Sequence, residues 1–202
     1  MPGHIEEPAV TQTTHNASRT PVAGARVSRA TMLAAAALLA GAAPAIAQVQ
    51  HADRILPLDL AVEAASEAVH VCARRGWPVT VTVVDAEGVV RVQLKGDHST
   101  IHTRDSSFRK AYTQVTLGPV FGFDRLSDGV AALRVSPAAG AFATLPDILL
   151  LAGAVAVKVD GEAIGAVGVG GAPGGDKDEA CAAAGLARIS ARLGSLTAPP
   201  AR

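Results

Sequence analysis

Between residues 57 and 75, Leu58, Ala61, Val62, Ala65, Val69 and Cys72 recur at three- and four-residue steps, the spacing that lines one face of an α-helix. Pro57 and Asp59 suit its first turn, Arg74 and Arg75 suit the negative end of its dipole, and Gly76 ends it. His70 falls off the stripe between Glu67 and Arg74 and reads as part of a solvated face. The period then changes. VTVTVV (79–84) and VVRVQLK (89–95) are rich in β-branched residues and flank Asp85-Ala86-Glu87-Gly88, so they predict an antiparallel hairpin with glycine at a positive φ. Gly96-Asp97 breaks the second strand, and a polar loop containing His98 and His102 leads into another helix. Its predicted inner stripe is Phe108, Ala111, Tyr112 and Val115, and Gly118-Pro119 stops it.

Residues 121–146 carry the weakest pattern, a short helix at 124–135 followed by an alanine, glycine and proline loop. That segment reads either as a ligand cover or as a long connection. Strand-like material returns at 147–159, Asp160-Gly161 marks a two-residue hairpin turn, and 163–169 form the returning strand. Two hairpins separated by helices predict an α/β protein of the α+β type, a single layered domain with a mainly antiparallel sheet. The absence of repeated βαβ units disfavours a doubly wound nucleotide fold.

The N-terminal segment, 1–47, obeys different rules. Arg19, Arg26 and Arg29 precede a short apolar run at 32–43 and then Ala45-Ile46-Ala47, the order of a secretory signal with cleavage expected after Ala47. The run is about a dozen residues, short of the roughly 20 that span a bilayer. The expected organisation is a signal peptide at 1–47, a flexible mature N-terminus at 48–56, a domain at 57–195 and a flexible tail at 196–202, with the product periplasmic or secreted. Removing Arg19, Arg26 and Arg29 from 18 basic residues and Glu6 and Glu7 from 18 acidic ones leaves a net charge of −1, which offers nothing to nucleic acid. Cys72 and Cys181 have two readings: one disulfide, which requires the first and last helices side by side, or two free cysteines buried as small hydrophobes. Their small apolar neighbours favour the second.

The segment VDGEAIGAVGVGGAPGGDKDE (159–179) poses the sharpest chemical choice. Its glycines follow a strand and precede a helix, as in nucleotide loops. The spacing fits neither a dinucleotide fingerprint nor a P-loop. Asp176, Asp178 and Glu179 also crowd the helix start where a phosphate would need bare N–H groups. A tight strand-to-helix crossing is the better reading, with Asp176 and Glu179 as a capping box and Asp178 beside them.

VVDAEGVVRVQLKGD (83–97), Ser107-Phe108-Arg109-Lys110-Ala111-Tyr112-Thr113, Leu151-Ala152-Gly153 and IGAVGVGGAPGGDKDE (164–179) together resemble the GlcG/HbpS heme-binding family, which includes the C-terminal domain of PduO-type corrinoid adenosyltransferases. The resemblance covers nearly the whole mature chain. It implies a profilin/PAS-like layered fold, a homo-oligomer (an octamer in secreted members), heme as the cofactor and, for some members, a membrane sensor kinase as partner or a part in heme breakdown.

A heme site needs an apolar slot, an axial ligand and cations for the propionates. His98 and His102, four apart, are the first choice for iron ligands, against a reading as two exposed loop histidines. His98 departs from the family segment, which usually carries small residues there. Tyr112 is a second candidate, although its stripe favours a core role. Lys110 with Arg109 and Arg104 could meet propionates; the other reading pairs Lys110 with a carboxylate such as Asp97. The family's proposed iron-touching threonine has no counterpart in Gly118-Pro119-Val120-Phe121-Gly122-Phe123. Asp178 and Glu179 match the family's acidic pair. Two rival functions stand beside heme binding: an enzyme for a small organic acid or cofactor fragment, with Asp97, Lys110 and Asp178 in one pocket, and an inert extracellular partner of a sensor kinase.

Overall fold

The computed structural model describes residues 54–196, which fall within the compact unit Gln48–Arg202. The expected signal peptide and most of the expected tail lie outside the described residues. Helix α1 (Leu58–Arg74) is followed by the hairpin β1 (Thr80–Asp85) and β2 (Val90–Lys95), helices α2 (His102–Phe121), α3 (Leu126–Arg134) and α4 (Ala139–Phe142), the hairpin β3 (Ala154–Val159) and β4 (Glu162–Gly170), and α5 (Gly175–Leu193). The strands form one antiparallel sheet in the order β2-β1-β4-β3; both hairpins and the antiparallel sheet are as the sequence predicts, and the pairing of β1 with β4 that joins the hairpins is what the structure adds. In the segment expected to be flexible ahead of Pro57, Leu56 is fully buried and Arg54 bonds Asp160 and Glu162, each at 2.9 Å.

Alternation along the strands gives the sheet two different faces. Val81, Val83, Val155, Val157, Val167 and Val169 point to the main core, which α1 and α5 cover. Thr80, Thr82, Ala154, Ala156, Ala166, Gly168 and Gly170 occupy the alternate positions, and α2 lies on that side.

The helical stripes rotate from their expected positions for reasons visible in these faces. In α1 the buried residues are Leu60, Ala61, Ala64, Ala65, Ala68 and Cys72, whereas Leu58 and Val62 are exposed. The smallest side chains win the contact because α1 packs directly on α5: a Cβ on Gly185 would collide with the Ala64 carbonyl. That close approach sets the Cys72 and Cys181 Cα atoms 5.8 Å apart, and the two are joined in a disulfide, which overturns the free-thiol reading. Apolar neighbours could not reveal this, because bonded and free cysteines are equally at home among alanines.

Helix α2 departs further from expectation. Its buried face is Thr103, Ser107, Lys110, Ala111, Thr113, Gln114, Val115, Leu117 and Gly118, while Phe108 and Tyr112 are only half-buried. The sheet opposite explains the hydroxyls: Thr80 Oγ1 lies 2.7 Å from Thr103 Oγ1, and Thr82 Oγ1 lies 2.8 Å from Ser107 Oγ. A Cβ on Gly168 would collide with the Ser107 carbonyl and stand 2.6 Å from the Ala111 amide, so the helix sits almost on the strand. Pro119 does not stop α2; the helix runs to Phe121, and Gly122 closes it at φ 73° by donating to the Gly118 carbonyl at 2.8 Å.

One further boundary shifts and one holds. Residues 147–153, expected as strand, form an irregular approach to β3, in which Asp147 and Gly153 take φ of 62° and 134°. Asp160 and Gly161, at φ 49° and 85°, make the expected hairpin turn.

The disulfide closes a sequence separation of 109 residues, so its removal frees a large unfolded loop. Cys72→Ala/Cys181→Ala should lose about 2–5 kcal/mol of unfolding free energy in urea. Wild type with reductant should approach the same midpoint, and coincident curves with and without reductant would contradict the bond.

Candidate functional site

The acidic start of α5 does not cap its own helix. Gly174 occupies the cap position and no side-chain capping bond forms, so the expected pairing of Asp176 with Glu179 is corrected. Glu179 turns inward and accepts the Ser127 amide at 2.9 Å, the Ser127 hydroxyl at 2.6 Å and the Gly153 amide at 3.4 Å. Asp178 accepts the Lys110 ammonium at 2.6 Å and the Ala172 amide at 2.9 Å. The Lys110 and Asp178 side chains are 2% and 4% exposed. Burial pushes the Asp178 carboxyl above its ordinary range, opposed by the charge and hydrogen bond of Lys110 and by the Ala172 and Gly171 amides. The partners lie 68 residues apart in the chain, so a first-turn carboxylate that bridges reads in sequence like one that caps.

This cluster supports the scaffold, since Asp178 and Glu179 tie α5 to α2, α3 and the entry to β3. A Cβ on Gly153 would stand 2.8 Å from Lys110 Nζ and 2.9 Å from Asp178 Cβ, so the chain enters β3 through the space beside the ion pair. Three of the four family-like segments quoted above therefore meet here: Lys110 from α2, Gly153 before β3, and the β4-to-α5 crossing.

A cleft of about 660 Å³ opens between α1 and the end of β2. Ser66, Val69, His70 and Ala73 contribute from α1, Gly76, Trp77, Pro78 and Val79 from the connection to β1, and Leu94, Lys95, Gly96, Asp97 and His98 from the end of β2 and the turn after it. β2 is an edge strand whose residues are half-buried or exposed, which leaves this recess unfilled. His98 holds a left-handed backbone at φ 63°, which costs a non-glycine residue about 1–2 kcal/mol.

The other expected site residues lie apart from the cleft lining. His102 is exposed at the start of α2, its Nδ1 3.1 Å from Thr100 Oγ1; His98 sits in the preceding turn, so the two share no helical or strand face. Lys110 is paired with Asp178 rather than Asp97. Arg109 donates to the Ile148 carbonyl at 2.8 Å and steadies the approach to β3. Arg104 pairs with Asp105 at 2.9 Å. The Tyr112 ring covers Gly88 of the β1–β2 turn and lies 5.8 Å from Phe108. Asp97 lines the cleft whereas Lys110 and Asp178 do not, which removes the shared pocket required by the organic-acid reading.

His70, Trp77 and Lys95 belong to the cleft and were missed. His70 sits off the apolar stripe, and nothing local to it signals that the end of β2 folds back alongside. Other recesses suit heme less well. One beside Gly118, Pro119, Gly122 and Phe123 holds about 150 Å³, below the roughly 300 Å³ at which ligand pockets begin. Another, between β3 and α5, holds about 610 Å³ but has no histidine, cysteine, methionine or tyrosine in its lining. Among the described residues no three acidic, histidine or cysteine side chains cluster as a bare-metal site, and no helix is long and apolar enough to cross a membrane.

Fold and site thus define a small layered α+β protein with a hydrogen-bonded polar seam under α2 and a histidine-bearing cleft between α1 and the end of β2. Residues 56–187 match the family described as haem degrading protein HbpS-like, and the chain belongs to that family. A double mutant of Streptomyces reticuli HbpS is similar at 35% identity and TM-score 0.61, over 73% of this chain and 97% of that one. Klebsiella pneumoniae ORFY shares the fold at 21% identity and TM-score 0.62, over 73% and 99%. A PduOC:heme complex does so at 23% identity and TM-score 0.58, over 67% and 95%. A search of curated proteins finds no match.

Two outcomes follow. Lys110→Ala or Asp178→Ala should each cost about 3–5 kcal/mol in denaturant unfolding, because a buried charge loses its partner, and Lys110→Met/Asp178→Leu should recover most of that loss; equal costs for single and double variants would refute the pairing. His98→Gly should gain about 0.5–1 kcal/mol, the left-handed penalty relieved less the extra chain entropy of glycine, and a net loss of stability would show that the imidazole holds the turn.

Proposed function

We propose that this is an exported heme-binding protein whose heme seat is the cleft between α1 and β2. The observation that carries the reading is the cleft itself: Val69, Ala73, Trp77, Val79 and Leu94 give it an apolar lining, and His70 and His98 supply imidazoles. Its volume falls within the roughly 300–1,000 Å³ of ligand pockets, so the residues present fit the group. His98 and His70 would hold the iron, which supplies redox and ligand-binding chemistry when heme is bound. The chain's own part is to shield the ring from water and orient the imidazoles.

Membership of the HbpS-like family supports heme as the ligand. The Cys72–Cys181 bond supports export, since structural disulfides belong to oxidising compartments. A homo-oligomer, a sensor-kinase partner and a role in heme handling follow from the family resemblance and belong to the same proposal. The left-handed His98 adds weight: a strained non-glycine backbone is retained where glycine would be cheaper.

Hemin titrated into the protein should give a Soret band shifted from that of free hemin. His70→Ala/His98→Ala should abolish the shift while His102→Ala leaves it intact. A wild-type spectrum identical to free hemin would overturn the proposal, and loss of the shift only in His102→Ala would move the site to α2.

A further inference from the structure

The cations expected to meet propionates are already engaged: Lys110 by Asp178, Arg104 by Asp105 and Arg109 by the Ile148 carbonyl. A different set gathers about Trp77. Arg75, from the end of α1, lies 5.4 Å from the indole centroid, and Lys177, from the first turn of α5, lies 5.5 Å from it. Lys95, from the end of β2, is exposed and lines the same cleft as Trp77. No carboxylate of the described residues lies in an ion pair with any of these three. Asp97 is the one acidic side chain in the lining.

The arrangement has a chemical logic. An indole face holds a cation with about 0.5–1 kcal/mol at an exposed site, enough to bias the position of Arg75 and Lys177; Lys177 Nζ spends one donor on the Pro173 carbonyl at 3.3 Å, which leaves its other N–H groups and the Arg75 guanidinium for an anion. Arg75 and Lys177 reach the indole from the end of α1 and from α5, and Lys95 stands at the end of β2 in the cleft that Trp77 lines. A ligand that complements both features is a flat apolar ring with carboxylates at one edge.

We infer that Arg75, Lys95 and Lys177 form a carboxylate-recognising end around Trp77, so that the cleft binds planar ring dicarboxylates, metal-free porphyrins included, without iron coordination. The inference rests on the cleft being the ligand seat and extends its ligand class beyond heme. Coordination by His70 and His98 then adds to binding and does not create it.

Trp77 is the sole tryptophan of the chain, so its emission reports occupancy of this cleft directly. The protein would be titrated with deuteroporphyrin IX, with its dimethyl ester and, in parallel, with hemin. The diacid should quench Trp77 saturably, and its affinity should fall about tenfold in Lys95→Ala/Lys177→Ala, the worth of two exposed ion pairs, and fall with added salt. It should survive His70→Ala/His98→Ala. An ester that binds as tightly as the acid, or a Lys95→Ala/Lys177→Ala variant that binds as wild type does, overturns the inference. Hemin binding without diacid binding also overturns it and leaves the heme reading intact. Diacid binding without a hemin Soret shift supports it and removes the heme reading.

Discussion

Lys110 and Asp178 meet at 2.6 Å where almost no water reaches them, and the surrounding chain is arranged about that contact. Taking two charges from water costs several kcal/mol each, returned only if geometry and additional hydrogen bonds are good. Asp178 accordingly takes a second donor from Ala172, and the neighbouring Glu179 secures α3 through Ser127 and the entry to β3 through Gly153. The pair also requires α2 to lie close to the sheet. Gly168 beneath Ser107 and Ala111 permits that approach, and the threonine and serine hydroxyls satisfy one another across the seam.

These requirements separate scaffold from ligand chemistry. Three of the four family-like segments meet at the seam, where Lys110, Gly153 and Asp178 lie together, while the fourth, 83–97, ends in the cleft wall with Leu94, Lys95, Gly96 and Asp97. The cleft is built from α1, the connection after it and the exit of β2. His98, in its wall, has a left-handed backbone.

Both hairpins and the antiparallel sheet were legible because each depends on local chemistry: β-branched runs and tight turns rich in aspartate and glycine. Burial within helices was less legible. Hydrophobic periodicity assumes that the largest apolar residues face inward, yet α1 buries alanines against Gly185 and leaves Leu58 and Val62 outside, and α2 buries hydroxyls and a lysine. Close backbone approach favours small or mutually hydrogen-bonded side chains, a choice made by the opposing surface and therefore absent from the helix's own sequence. The same limit hid the site. His98 was identifiable as a candidate, but its pairing with His102 rested on spacing, whereas its cleft neighbour His70 is contributed by an element that only tertiary structure brings alongside.

The disulfide connects the two halves of this account. Cys72 anchors α1 to α5 through Cys181, and its carbonyl accepts the amides of Arg75 and Trp77, each at 3.0 Å. The turn that carries the indole is therefore fixed to the same point as the helix that carries His70. Lys177, near Trp77, rises from the other helix of the bond. Preorganisation lowers the ordering cost of binding, so a covalent tie in the main core can set the geometry of a cleft whose lining does not include either cysteine. Alanine packing brings α1 to α5, the bond holds them, and the cleft wall inherits that rigidity.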